Sequence, residues 1–247
     1  MSAEARPDAS GLRARAALVL ERIAEAARRA GRDPREVTLV AVSKTHPAAL
    51  VREAAAAGLN VFGENRVQEA ESKIDELKPE APHLRWHLIG RLQPNKARRA
   101  ARLFDLIHSV DSVALVERLE RICVEEGRAS LEVLVQVDLA GEEAKSGVTE
   151  DELPAVFEAL KRCERVRCRG LMILPPFFED AERVRPFFRR LRELRDEWHA
   201  HGAFVGGGEG AGELSMGMTN DFEVAVEEGA TLVRVGTALF GERGLKV

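Results

Sequence analysis

The sequence predicts an α/β protein, a single (β/α)8 barrel of the TIM type with an extra N-terminal helix. Three observations carry this. Short β-like runs alternate with helical patterns along the chain. Alternation of that kind means parallel strands joined by crossover helices. The runs number eight, and so do the helical stretches when the first is counted. The length, 247 residues, suits one such barrel. A doubly wound open sheet is the alternative architecture. No linker, low-complexity tail or second domain is evident, so residues 1–247 read as one domain.

The chain opens on "GLRARAALVLERIAEAARRAGRDP", an arginine- and alanine-rich stretch that could resemble an organelle transit peptide. Glu21 and Glu25 interrupt its basic face, and transit peptides are poor in acids. It therefore reads as an amphipathic helix ending near Gly31, with Pro34 as a stop. The strand candidates follow at 37–43, 60–65, 84–90, 105–111, 131–139, 166–174, 213–218 and 231–241. Between them, stretches such as "VALVERLERICVEEG" place apolar residues at i, i+3, i+4. The helix "AERVRPFFRRLRELRDEWHAHG" carries Pro186 in its first turns, where amides have no intrahelical partner. "VGGGEGAGE" (205–213) reads as a loop.

Composition narrows the function. Apolar residues make up 45% and charged residues 32%, a globular balance. The net charge of −4 gives no footprint for nucleic acid or membrane. No apolar run approaches the roughly 20 residues needed to span a bilayer. Cys123, Cys163 and Cys168 are odd in number and lack C-x-x-C spacing. They predict neither a disulfide framework nor a metal site, and they suit a reducing compartment such as the cytoplasm.

In a barrel of this kind the C-terminal strand ends form one rim, where active sites lie. Here the rim collects Ser43 and Lys44, Glu64 and Asn65, His87, then His108, Ser109 and Asp111. Later strands add Lys145, Met172 with the Pro175–Pro176 pair, "SMGMTND" and Arg234. Lys44 ends the apolar run "TLVAVS" in a chain with 7 lysines against 30 arginines. It could be a paired or snorkelling surface cation. Partly desolvated at a barrel mouth, it could instead attack a carbonyl and form a Schiff base. After the last two strands, Gly217, Gly236 and Gly241 permit close backbone approach, and Thr219 and Thr237 offer hydroxyls. Barrels bind phosphate at that place. Tight turns with Asn220 or Asp221 capping the next helix are the plainer reading. Lysine and phosphate site together indicate a phosphorylated carbonyl compound. Pyridoxal phosphate fits, and so does the sugar phosphate of a Schiff-base aldolase.

The motifs "AVSKTHP", "FGENRVQEA", "WHLIGRLQPNK", "HSVD", "KSG", "RGLMILPP", "LSMGMTND" and "VRVGTALFG" occur in this order from about Val37 to Gly241. Together they resemble the pyridoxal-phosphate homeostasis protein family, single-domain relatives of the alanine racemase barrel. The resemblance implies an alanine-racemase-like barrel, a monomer or weak dimer, holding pyridoxal 5'-phosphate as an internal aldimine on Lys44. It implies that Arg234 faces the pyridine nitrogen. It implies that Ser215, Gly217, Thr219, Gly236 and Thr237 surround the phosphate, and that Asn65 and His87 line the pocket. The family keeps free cofactor low and supplies it to pyridoxal-phosphate-dependent apoenzymes. Thr219 stands where serine is commoner, and Phe222 replaces a more usual methionine.

Little or no catalysis is expected. The related racemases pair their lysine with a tyrosine from a C-terminal β domain. This chain has no tyrosine and reaches Val247 soon after the eighth strand, so that domain is expected to be absent. His87 or His108 would have to substitute as second base. Arginine can only donate, so Arg234 would leave the ring nitrogen unprotonated and the cofactor a weaker electron sink. Residual amino-acid racemisation or decarboxylation is the first alternative; the sugar-phosphate aldolase is the second.

Overall fold

In a computed structural model of the chain, residues 9–141, 146–205 and 212–241 are described. Eight parallel strands close into a barrel in sequence order. They are β1 (Thr38–Val42), β2 (Val61–Glu64), β3 (Arg85–Leu88), β4 (Leu106–Val110), β5 (Leu131–Val137), β6 (Val166–Ile173), β7 (Glu213–Ser215) and β8 (Leu232–Val235). β1 pairs with β8 over four residues, which closes the ring. The open-sheet alternative is thereby excluded.

The α-helices are α1 (Ala9–Arg29), α2 (Ala48–Ala56), α3 (Val67–Leu77), α4 (Ala97–Leu103), α5 (Val113–Glu125), α6 (Leu153–Lys161), α7 (Arg185–Ala200), α8 (Phe222–Glu227) and α9 (Thr237–Phe240). Single 3-10 turns precede several of them. α1 buries Leu12, Ala16, Val19, Ile23, Ala26 and Ala27, a stripe at helical spacing. It lies against α2, α8 and α9, and so covers the outside of the β8–β1 closure. Arg15 donates to the Leu239 carbonyl at 2.6 Å and ties it there.

Strand residues alternate between two apolar clusters. Val40, Val42, Val61, Ile89, Leu106, Leu134, Met172 and Leu232 fill the barrel interior. The opposite faces pack under the helices in one larger cluster. This inward filling makes the barrel a packed core and leaves only the rim for binding.

The last apolar run differs from the strand expected over 231–241. β8 stops at Val235, Gly236 turns the backbone to ψ −75°, and "TALF" forms the short helix α9. That makes nine α-helices among the described residues, where eight were expected. Short apolar runs do not distinguish strand from buried helix by periodicity. Most of the glycine-rich 205–213 stretch, and Lys145, fall outside the described residues.

Candidate functional site

The turn after β1 is built around a buried cation. Ser43 is fully buried, and its hydroxyl donates to Glu64 Oε1 at 2.7 Å. Lys73, on α3, is 6% exposed. Its Nζ donates to the Ser43 carbonyl at 2.7 Å, to Glu64 Oε1 at 2.7 Å and to Glu69 Oε1 at 2.9 Å. The same Glu69 oxygen accepts the Thr45 amide. Thr45 has φ +67°, alone among the described non-glycine residues in that region. A β-branched residue there costs about 1–3 kcal/mol. A hydrogen bond to a charged group contributes about 1.5–3 kcal/mol, enough to offset that cost. Lys44, half-buried between Ser43 and Thr45, is thus carried by a turn fixed on both sides.

Burial raises the Glu64 carboxyl above its usual range despite the Lys73 ammonium and the Ser43 hydroxyl. Glu69 is less buried; there the opposing pull of Lys73 and the Thr45 amide wins, and its carboxyl is lowered.

A second polar group runs through the barrel interior under the rim. Arg234, 3% exposed, donates from Nη1 to Ser215 Oγ at 2.6 Å and from Nη2 to the Ile173 carbonyl at 2.8 Å. Ser215 Oγ lies 2.8 Å from His108 Nδ1, and His108 Nε2 lies 3.0 Å from His87 Nδ1. Burial brings the Arg234 guanidinium down to about 10, against the raising effect of Asp221, so it stays charged at neutral pH. Burial, helped by Arg85, lowers His87 to about 3. His108 is also held well below its ordinary value by burial, with His87 and Arg234 adding to it. Both rings are neutral. One tautomer orders the chain from Arg234 through Ser215 and His108 to His87, each group donating to the next.

A cavity of about 560 Å³ opens above this column at the C-terminal rim, within the usual size of small-molecule sites. Lys44, Asn65, Thr219, Arg234, Gly236 and Thr237 line it. His87, expected in the wall, lies beneath it instead, and Ser215 is likewise buried with its hydroxyl engaged by Arg234 and His108. Both are inward-facing residues a step deeper in the barrel. Gly217 stands behind the wall with φ +90°, where a Cβ would come within 2.5 Å of the Ala225 methyl. It lets α8 pack close beneath the loop. Asp221 does not cap α8 with its side chain; it accepts the Met218 amide at 2.6 Å and fixes the loop after β7.

Sequence reasoning missed several wall residues, among them Gln136, Ser146, Phe177 and Met218. Gln136 had a signal: it is the polar interruption in "LEVLVQV". Its amide nitrogen donates to Ser146, while its buried Oε1 has no partner among the described residues. Phe177 follows two prolines and stands 76% exposed at the mouth. Among the described residues, no group of His, Cys, Asp and Glu could hold a metal ion, and no helix is long and apolar enough to cross a membrane.

The family model described as alanine racemase, N-terminal domain, matches residues 18–244. A protein of Pseudomonas aeruginosa named pyridoxal phosphate homeostasis protein is 48% identical over 227 residues, 92% of this chain and 94% of the relative. This chain belongs to that family. An Aquifex aeolicus member of the same name is 45% identical over 225 residues, covering 91% of this chain and 95% of the relative. The structure of PipY from Synechococcus elongatus, with PLP bound, superimposes with a TM-score of 0.78 at 46% identity. That match covers 90% of this chain and all of the other. The family resemblance of the motifs and the barrel architecture both stand.

Two outcomes follow from the buried groups. Replacing Lys73 by Met leaves the Glu64 carboxyl buried without its cation, so stability to urea should fall by about 3–5 kcal/mol; an unchanged midpoint would show the ion cluster to be dispensable. The histidines give a pH effect. Unfolded imidazoles bind protons near pH 6.5, whereas the folded rings stay neutral to much lower pH. The unfolded chain therefore binds more protons below pH 6.5, and stability should fall with acidity by about 1.4 kcal/mol per pH unit for each ring. Urea midpoints between pH 6.5 and 5 should show this slope, roughly halved in His87→Leu. A flat profile in the parent would contradict it.

Proposed function

We propose that the chain binds pyridoxal 5'-phosphate in this cavity, as a Schiff base on Lys44, and serves to hold and deliver the cofactor with little or no catalysis of its own. The observation that carries the reading is the placement of Lys44 on a pre-set turn facing a cavity with Arg234 in its floor. The donor set fits the group. Lys44 offers an amine, Thr219 and Thr237 offer hydroxyls beside close-approaching backbone at Gly236, and Arg234 offers a guanidinium. A Cβ on Gly236 would press to 3.3 Å of the Val42 side chain, so the glycine keeps that wall thin. The buried, unpartnered Gln136 Oε1 supplies an acceptor.

When bound, pyridoxal phosphate supplies an electron-withdrawing ring that stabilises charge at a substrate carbon. What the chain's own residues do is bind and orient. Thr219, Gly236 and Thr237 would receive the phosphate, and all three line the cavity. Lys44 fixes the carbonyl end. Arg234, held by Ser215 and the Ile173 carbonyl, has only N–H groups to offer and would leave a ring nitrogen beside it unprotonated. His87 and His108, the candidates for a second base, are neutral, buried and turned into the barrel interior. Neither lines the cavity. Storage and transfer to apoenzymes therefore suit the residues better than racemisation. The names of the relatives and the cofactor in the PipY structure support this reading, as against a sugar-phosphate aldolase. A monomer or weak dimer in the cytoplasm completes it; a reducing compartment suits the free thiols Cys123, Cys163 and Cys168.

Adding pyridoxal phosphate to the purified protein should produce a visible absorbance band that is absent in Lys44→Ala. A band persisting unchanged in that variant would exclude Lys44 as the attachment. Proton exchange at the α carbon of alanine in deuterium oxide should run far below enzyme rates; rapid exchange would overturn the carrier role.

A further inference from the structure

The sequence motif "GRLQPNK" after β3 takes no part in the cavity beyond its first two residues. Of the remaining polar residues, Gln93 and Lys96 line a separate trough of about 440 Å³ beside the cavity. Arg66, Arg91 and Lys96 bring three cations to it. Asn65, Gln68 and Gln93 add side-chain amides. Among the described residues the lining contains no carboxylate.

The cations are only partly engaged elsewhere: Arg66 adds to Lys73 in lowering the Glu69 carboxyl against burial, and Arg91 opposes the rise that burial gives Asp111. Neither Arg66 nor Lys96 has a carboxylate within 4 Å among the described residues, and Arg91 approaches Asp111 only at 3.7 Å. Arg66 is also the N-cap of α3 and makes no side-chain cap bond. The first amides of this eleven-residue helix therefore remain open toward the trough, where Val67 and Gln68 lie. Cations, amide donors and a helix N-terminus all favour an anion. The trough adjoins the Lys44 cavity, since Asn65, Gly90 and Arg91 line both. At Gly90 the two rim segments nearly touch: a Cβ there would fall 2.4 Å from the Asn65 carbonyl oxygen. The partition between the two spaces is thus one backbone thick.

We propose that this trough is a second anion subsite, which takes the phosphate of a phosphate monoester at the entrance to the Lys44 cavity. Three cations, of which Arg91 alone has a carboxylate within 4 Å among the described residues, match a dianion better than a single carboxylate. Lys44 does not line the trough, so a monoester bound there leaves the lysine uncovered. Its role as a staging position for incoming or departing cofactor rests on the function proposed above; the anion site itself does not.

The test separates the two. Protein loaded with pyridoxal phosphate and reduced with borohydride has its main cavity filled. Calorimetric titration with pyridoxine 5'-phosphate, which has no aldehyde, should then show one further binding event per chain. In Arg91→Gln/Lys96→Gln that event should weaken at least about tenfold, with an unchanged urea midpoint. Lys96→Arg should retain it. Inorganic phosphate and glycerol 3-phosphate distinguish a general phosphate site from one that also reads the ring, and binding of either kind supports the subsite. No binding of any of the three at millimolar concentration, or equal affinity in the double variant, would overturn it. If the protein fails to load with pyridoxal phosphate, the proposed function falls. Titration of unloaded parent and Lys96→Gln with inorganic phosphate then still decides the trough, because Lys96 lines the trough and not the Lys44 cavity: weaker binding in the variant supports the site and equal binding overturns it.

Discussion

The ammonium of Lys73 is the contact on which the site depends. It sits in the interior, on a helix, and binds a backbone carbonyl of one strand end, a carboxylate of the next, and a carboxylate of its own helix. Burying a charge is costly unless it is paired and hydrogen-bonded, and here every donor direction described meets an oxygen. The consequence reaches Lys44 through Glu69, whose carboxylate both pairs with Lys73 and holds the Thr45 amide in a left-handed turn. One buried cation therefore positions a second, half-buried one. The two lysines have opposite assignments: Lys73 is saturated with partners and structural, while Lys44 is presented to a cavity.

Beneath the cavity the same economy of burial acts on Arg234. Its guanidinium has two fixed acceptors, and the serine that accepts one bond is backed by two neutral histidines. Rigid support of this kind leaves Arg234 a donor with a set direction. A donor that cannot lose its proton fixes the character of any aromatic nitrogen facing it. The histidines that could have provided acid–base chemistry are spent on this support, and burial holds them neutral. The proposed holding role rests on this arrangement.

Much of this was legible in the chain. The alternation of β-like and helical runs gave the barrel, because parallel strands buried on both faces leave continuous apolar segments. Lys44 was legible because a lysine closing such a segment has no packing role. Thr219, Gly236 and Thr237 were legible from glycines and hydroxyls at strand ends, and Arg234 from its place as a charge in the last strand and from the family resemblance. What was not legible depends on depth and direction. His87 and Ser215 share the rim's periodicity with the cavity residues, yet they stand one step below it, and one-dimensional spacing does not report that. The Lys73 cluster joins β1, β2 and α3 through side chains up to thirty residues apart. Its members read separately as ordinary helix and strand-end charges. α9 was hidden because four apolar residues after a glycine look alike as strand or helix.

The proposed attachment of pyridoxal phosphate to Lys44 can be read from the modified peptide itself. Borohydride reduction of protein incubated with pyridoxal phosphate, followed by digestion and peptide mass analysis, tests it most directly. The account predicts a phosphopyridoxyl mass increment on the peptide containing Lys44, in near-stoichiometric yield, with Lys73 unmodified. An increment found chiefly on another lysine, or none at all, would contradict it.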